Sequence, residues 1–219
     1  MSTPEKKGTN FTEKLTPVRL VLDSPRLKSA SEDANFTACK ARLKAIVSLL
    51  QDNYSKWQLA QKRGTTICTS IEAIKTRALE TKESCNQIIG EHRDTIYPNG
   101  LKPYAKKLRL IASIFEDITK STEDSLRQLI SLSRFPGSKD KVFYRSWHLS
   151  QYINFVEQLH GRYRKETEVK QYVARKWTGE LPHCMSRADL ICCTTAWEYP
   201  QYVDVWTSLT LAFLREESK

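Results

Sequence analysis

LKAIVSLLQDNYSKWQLAQKRGTTICTSIEAIKT, residues 43–76, returns an apolar or small residue at alternating steps of three and four. With Leu43 at heptad position a, that position recurs as Leu50, Trp57, Gly64, Ile71, Ala78 and Cys85. Position d recurs as Ile46, Asn53, Ala60, Ile67, Ile74, Thr81 and Ile88. A stripe sustained over so many turns is the seam of a coiled coil or the inner edge of a long bundle helix. Gly64 weakens its middle, so the helix is expected to bend there yet continue.

HRDTIYPNGLKP, residues 92–103, then supplies turn chemistry through Pro98, Asn99, Gly100 and Pro103. A second heptad follows at once, with Leu101, Leu108, Phe115, Thr122 and Leu129 at a, and Tyr104, Ile111, Ile118, Ser125 and Leu132 at d. Two long helices joined by a short turn run antiparallel, so residues 36–134 read as a heptad hairpin. Its seam is expected at Leu43, Leu50, Trp57, Ile71, Leu108, Ile111, Phe115 and Ile118.

RFPGSKDK, 134–141, ends the second helix. Beyond it a third amphipathic helix runs from Trp147 through Tyr152, Val156, Leu159, Tyr163 and Val173 to Trp177; ADLICCTTAWEY makes a short fourth, and a fifth follows Pro200. No stretch alternates with period two. The fold class is therefore all-α: a flexible Ser/Thr/Pro-containing arm (1–35), an antiparallel coiled-coil hairpin (36–134) and a Trp-rich helical module (142–219).

The chain has 219 residues and a formal charge of +10. Residues 36–134 carry 17 Lys and Arg against 10 Asp and Glu, whereas residues 142–219 carry 10 against 9. An excess of that sign favours polyanions or acidic protein surfaces. Lys102, Lys106, Lys107 and Arg109 crowd the start of the second helix with no acid among them, and would contact phosphates without reading bases. That alternative makes the protein a basic nucleic-acid or ribosome-precursor binder.

Catalytic signatures are missing: there is no Gly-rich phosphate loop, HExxH or GxSxG, and the acidic pairs Glu116–Asp117 and Glu123–Asp124 are adjacent in sequence and so diverge on a helix. The chain reads as a non-enzyme with no cofactor. His183, Cys184, Cys192 and Cys193 supply four donors, but neighbouring helical positions diverge by about 100° and suit a zinc site poorly. Six scattered cysteines read as free thiols of a reducing compartment. MSTPEKKGTNFTEK has no apolar core and no window is long and apolar enough for a membrane span, so work in the nucleus or cytosol, away from membranes, is expected. Within the arm, Thr3, Thr16 and Ser24 each precede a proline, and the first two also have a basic residue two positions after it, the pattern of proline-directed kinase sites.

The C-terminal blocks FYRSWHLSQY (143–152) and YRKETEVKQYVA (163–174), then Trp197, Tyr202–Val203, Leu211 and Glu216, together with their spacing, resemble the cyclin-dependent kinase 2-interacting protein family. The resemblance implies a nuclear adaptor. Its partners would be cyclin-dependent kinase 2 and Cdc7-type kinases, and AAA-type ATPases acting with a second small helical protein. Its roles would lie in DNA replication, checkpoint signalling and maturation of the large ribosomal subunit. Carried over by position, Tyr163, Arg164, Lys165, Glu166, Lys170 and Val173 belong to the signature helix. Partner contacts are expected at Tyr163, Arg164, Lys165, Glu166, Lys170, Trp197 and Tyr202. Arg164, Lys165 and Glu166 are expected to form an exposed ridge, with Tyr163, Val173 and Trp177 facing inward. Glu166 precedes Lys170 by four, the favourable order for an intrahelical pair worth about 0.3–0.5 kcal/mol when exposed.

Overall fold

A computed structural model describes residues 25–85, 100–135, 138, 141–178 and 186–219. Helices α1 (Pro25–Cys85), α2 (Leu101–Leu132), α3 (Leu149–Thr178), α4 (Arg187–Glu198) and α5 (Val205–Glu217) hold most of them. The chain is mostly helical, as expected. One element was not foreseen: strands β1 (Val142–Phe143) and β2 (Trp147–His148) pair antiparallel between α2 and α3. Two residues per strand are too few to leave a period-two signature.

The expected arm boundary at residue 35 moves, because α1 begins at Pro25. Proline suits the first turn of a helix, where its missing N–H is one that would go unpaired anyway. Tertiary contacts then hold the first described side chains: the Phe36 ring lies 5.0 Å from that of Phe143, and Lys141 Nζ is 3.6 Å from Asp33 Oδ1. Thr3, Thr16 and Ser24 lie outside the described residues, as do His183 and Cys184.

Along α1 the buried positions are Cys39, Leu43, Ile46, Val47, Leu50, Asn53, Trp57, Ala60, Gly64, Cys68, Ile71 and Lys75. Up to Ala60 they follow the heptad. Beyond it Cys68 and Lys75 take the buried places expected for Ile67 and Ile74, which are only half-buried. A straight helix of 3.6 residues per turn drifts about 20° per heptad against a 3.5-residue stripe, which moves the buried edge one residue onward. α2 keeps its stripe throughout: Leu101, Leu108, Phe115, Thr122 and Leu129 are all buried, with Ile111, Ile118 and Ser125 beside them.

The two long helices run antiparallel. Asn53 Nδ2 donates to Ser121 Oγ at 2.9 Å, the Trp57 and Phe115 rings meet at 6.1 Å, and Ile67 lies near Tyr104 in a shared groove. α3 covers α2 through a 2.9 Å hydroxyl contact of Thr119 with Thr167 and a 3.2 Å hydrogen bond from Gln171 Nε2 to Glu116 Oε2. α4 covers α1, where Thr194 Oγ1 donates to Glu72 Oε2 at 2.6 Å. The buried apolar residues of all five helices form one cluster.

Gly64 explains how α4 comes so close. It lies buried within α1, and any Cβ there would fall inside the indole of Trp197. The glycine that weakens the heptad is the seat of a tryptophan from another helix. Phe115 closes the stack, its ring 5.9 Å from that of Trp197.

Candidate functional site

The signature stretch 163–174 occupies the middle of α3. Tyr163, Val173 and Trp177 are buried, while Arg164 and Lys165 are exposed. The expected exposed ridge ends there, because Glu166 and Lys170 are 1 % and 0 % exposed. Their ion pair, 3.0 Å long, is internal. A buried pair of this kind holds only when its remaining hydrogen-bonding capacity is met.

That capacity is met by the C-terminal third of the chain. Lys170 Nζ donates to Ala196 O at 3.1 Å and Trp197 O at 2.6 Å, two carbonyls in the last turn of α4. The last carbonyls of a helix lack intrahelical partners and carry the negative end of its dipole. α4 has no basic residue of its own in that turn, so α3 provides the cation. Gln61 Nε2 of α1 donates to Trp197 O as well and to Glu198 O at 3.2 Å. Glu166 Oε2 accepts the Tyr202 N–H at 2.9 Å, in the link between α4 and α5.

One turn earlier on the same face, Arg162 Nη1 donates to Asp204 Oδ1 at 2.8 Å. Asp204 is also the N-cap of α5, accepting the Thr207 N–H at 3.1 Å. Arg162, Glu166 and Lys170 stand at i, i+4 and i+8, and so form one row that clasps residues 196–207. Lys165 closes the outer side with its ammonium 5.5 Å from the Tyr202 ring centre. Burial pulls the Lys170 ammonium below the ordinary lysine range, against the opposing pull of Glu166. Burial likewise pushes the nearby Cys68 thiol up, so that it stays protonated.

Of the residues expected to contact a partner, Tyr163, Glu166, Lys170 and Trp197 are thus spent inside the chain. Tyr202 is half-buried, and Arg164 and Lys165 face outward.

The clasp presents α5 in a fixed pose, and α5 carries the surface that the sequence reading missed. Thr207, Leu211 and Leu214 face the core. On the other side Val205, Trp206, Leu209 and Phe213 are exposed, Trp206 by 70 %. At 100° per residue these four fall within about a third of the helix circumference. The Phe213 ring continues the patch onto half-buried Trp147, 5.5 Å away. An apolar residue on both faces of a short helix at a surface was the available signal, since a helix apolar all round is normally buried.

The basic cluster divides. Lys102, Lys106, Lys107 and Arg109 are all exposed. By helical angle Lys102, Lys106 and Arg109 share one face, whereas Lys107 turns about 100° away from Lys106. Arg109 lines a cleft of about 240 Å³ between α2 and α3 with Glu116, Gln171 and Arg175; Lys107 instead lines a groove of about 700 Å³ between α1 and α2. Among the described residues no group of His, Cys, Asp and Glu is arranged to hold a metal ion, and no helix is long and apolar enough to cross a membrane. Cys193 is buried and Cys192 exposed.

No family model matches the chain, and no curated protein was found to match it.

Proposed function

We propose that the protein is a non-enzymatic adaptor of the kind that its resemblance to the cyclin-dependent kinase 2-interacting protein family implies. In this reading it is held on an AAA-type ATPase through the outward face of α5. It serves replication, checkpoint signalling and large-subunit maturation in the nucleus, with cyclin-dependent kinase 2 and Cdc7-type kinases among its partners. The heptad helices act as a coiled-coil hairpin toward a second small helical protein.

The observation that carries this reading is the exposed row Val205, Trp206, Leu209 and Phe213. Monomeric soluble proteins seldom leave a contiguous apolar patch of this kind uncovered, and tryptophan is prominent among the residues that dominate binding energy. The row is also preorganised. Arg162 and Glu166 hold the start of α5, and Glu217 at its end accepts the backbone N–H groups of Ser146 and of Trp147, the latter at 3.0 Å. A surface already fixed in place loses little conformational entropy on docking.

A second reading, the basic nucleic-acid or ribosome-precursor binder, draws on the shared exposed face of Lys102, Lys106 and Arg109. The two readings differ in salt response, since phosphate contacts weaken steeply as salt rises and apolar docking does not. Tagged full-length protein is captured from nuclease-treated extract at about 0.5 M salt, where the Debye length is only a few ångströms. The adaptor reading expects an AAA-type ATPase among the retained proteins, lost when Trp206 and Leu209 are both changed to Ala. Retention of nothing at that salt, with ribosomal particles bound only at low salt, overturns it in favour of the basic binder.

A further inference from the structure

α3 and α4 cover one side of the α1/α2 pair, and no described residue covers the other. There the groove of about 700 Å³ is lined by α1 and α2 alone. Its floor is Ala60, Ile67 and Ile111, and its walls are raised by Leu59 and Leu110, which are 49 % and 68 % exposed, with Ile114 one turn along α2 from Leu110. Lining residues run from Lys56 to Ser70 on α1 and from Tyr104 to Ile114 on α2. At 1.5 Å rise per residue those stretches are about 21 and 15 Å long, or three to four turns of a third helix. Two antiparallel helices with a ridge on each side of a shared furrow seat such a helix by ordinary ridge-into-groove packing.

The charge of the rim selects the occupant. Lys56, Arg63 and Lys107 are exposed along it, and among the described residues no carboxylate lines the groove. Glu72 and Glu116 are turned elsewhere, Glu72 accepting from Thr194 on the α4 side and Glu116 bound to Lys120 and to Gln171 on the α3 side, while the exposed acids Asp52 and Asp117 stand one turn beyond the lining, both at its Lys56/Ile114 end. Lys107 rests its ammonium 5.9 Å from the centre of the Tyr104 ring, which keeps that charge at the groove edge. An aliphatic floor between cationic rims matches an amphipathic helix with an apolar stripe at i, i+3/i+4 and i+7 and carboxylates on both flanks. It is a poor fit for nucleic acid, whose single strands need aromatic platforms, and Tyr104 is the one aromatic residue of the lining.

We propose that the α1/α2 groove is a docking site for one acidic amphipathic helix of a partner protein. The proposal rests on the reading of the heptad helices as the face toward a second helical protein and states what that partner must offer; the site is separate from the α5 face, so either can fail without the other. The probe is a fluorescein-labelled 16-residue helical peptide with Leu on the apolar stripe and Glu on the flanks, titrated into the full-length protein by fluorescence anisotropy. A Lys-flanked peptide with the same stripe and a 20-nucleotide oligothymidine serve as competitors. The Glu-flanked peptide is expected to bind at least tenfold more tightly than the Lys-flanked one, and Arg63→Glu with Lys107→Glu is expected to invert that order. Leu110→Ser, at a site exposed enough to leave folding intact, should weaken either peptide at least tenfold, whereas Trp206→Ala should change nothing. Equal binding of both peptides, indifference to the charge reversal, or displacement by oligothymidine at lower concentration than by unlabelled Glu-flanked peptide would each overturn the proposal. So would a chain that is already dimeric by sedimentation with Leu59 and Leu110 protected, since a second copy would then own the groove.

Discussion

Gly64 shows how one residue can invert a propensity argument. In an exposed helix, alanine in place of glycine stabilises by about 1 kcal/mol. Here the added methyl would collide with the Trp197 indole, and overpacking of that kind costs about 1–3 kcal/mol, enough to reverse the sign. Gly64→Ala is therefore expected to lower the urea midpoint of unfolding; a raised midpoint would mean that Trp197 does not sit on α1. Lys170 and Glu166 make a second case. Removing Glu166 alone, as Glu166→Gln, strands a buried ammonium, and breaking such pairs costs about 3–5 kcal/mol. Replacing both by Leu and Met should cost less than the two single changes together, as read from a double-mutant cycle in urea. Glu217 gives the acid response. Burial alone would raise its carboxyl, but the Ser146 and Trp147 N–H groups overcome that and hold it below the usual glutamate range. Asp204 is held low in the same sense, burial being outweighed by the Thr207 N–H and Arg162. A depressed acid adds stability above its unfolded value, about pH 4, and that stability is lost as pH falls through the folded value. Glu217→Gln should be less stable than the parent at pH 7, with the gap closing toward pH 3; a gap independent of pH would contradict this.

α5 and α2 show what elements do that single positions do not. On α5 the exposed row lies outside the core, so it adds little to folding and is free for the proposed docking. Trp206→Ala is expected to move stability by no more than about 0.5 kcal/mol, whereas Trp197→Ala, which opens a cavity between three helices, should cost about 3–5 kcal/mol. Similar losses from both would mean that α5 is turned over. How far these elements were legible in the sequence follows from their periods. α2 buries every expected a position from Leu101 to Leu129 and the d positions Ile111, Ile118 and Ser125, while Tyr104 and Leu132 at its two ends are half-buried. In α1 position a stays buried at Gly64 and Ile71, but beyond Ala60 position d moves one residue on, to Cys68 and Lys75, because a straight helix drifts against a strict heptad and the sequence alone does not say whether the helix supercoils to follow it. The signature helix α3 was misread at Glu166 and Lys170 for a related reason. A Glu and Lys four apart look alike whether they face water or cap a distant helix, and only the fold brings the orphan carbonyls of Ala196 and Trp197 to Lys170. Trp206 was passed over because a tryptophan count does not say which rings the core has room for.

At the scale of the whole molecule, the hairpin read over 36–134 and the module read over 142–219 share one apolar cluster, stitched by Trp57, Phe115 and Trp197 across α1, α2 and α4. A shared core unfolds as a unit, so far-ultraviolet dichroism and tryptophan fluorescence should report coincident urea transitions. Separate midpoints would mean two independent bodies. Among the described residues the same packing leaves the α5 face and the α1/α2 groove as apolar surfaces that share no residue. Two partners held at once, one on each surface, would make the proposed adaptor a bridge. The most direct test is parallel capture from extract, at about 0.5 M salt to screen phosphate contacts, with the parent chain, a Trp206→Ala/Leu209→Ala variant and an Arg63→Glu/Lys107→Glu/Leu110→Ser variant. The expected result is that the α5 variant loses an AAA-type ATPase and keeps the groove's partner, while the groove variant keeps the ATPase and loses a protein with an acidic amphipathic helix. Loss of the same proteins by both variants, or of none by either, would contradict a bridging role.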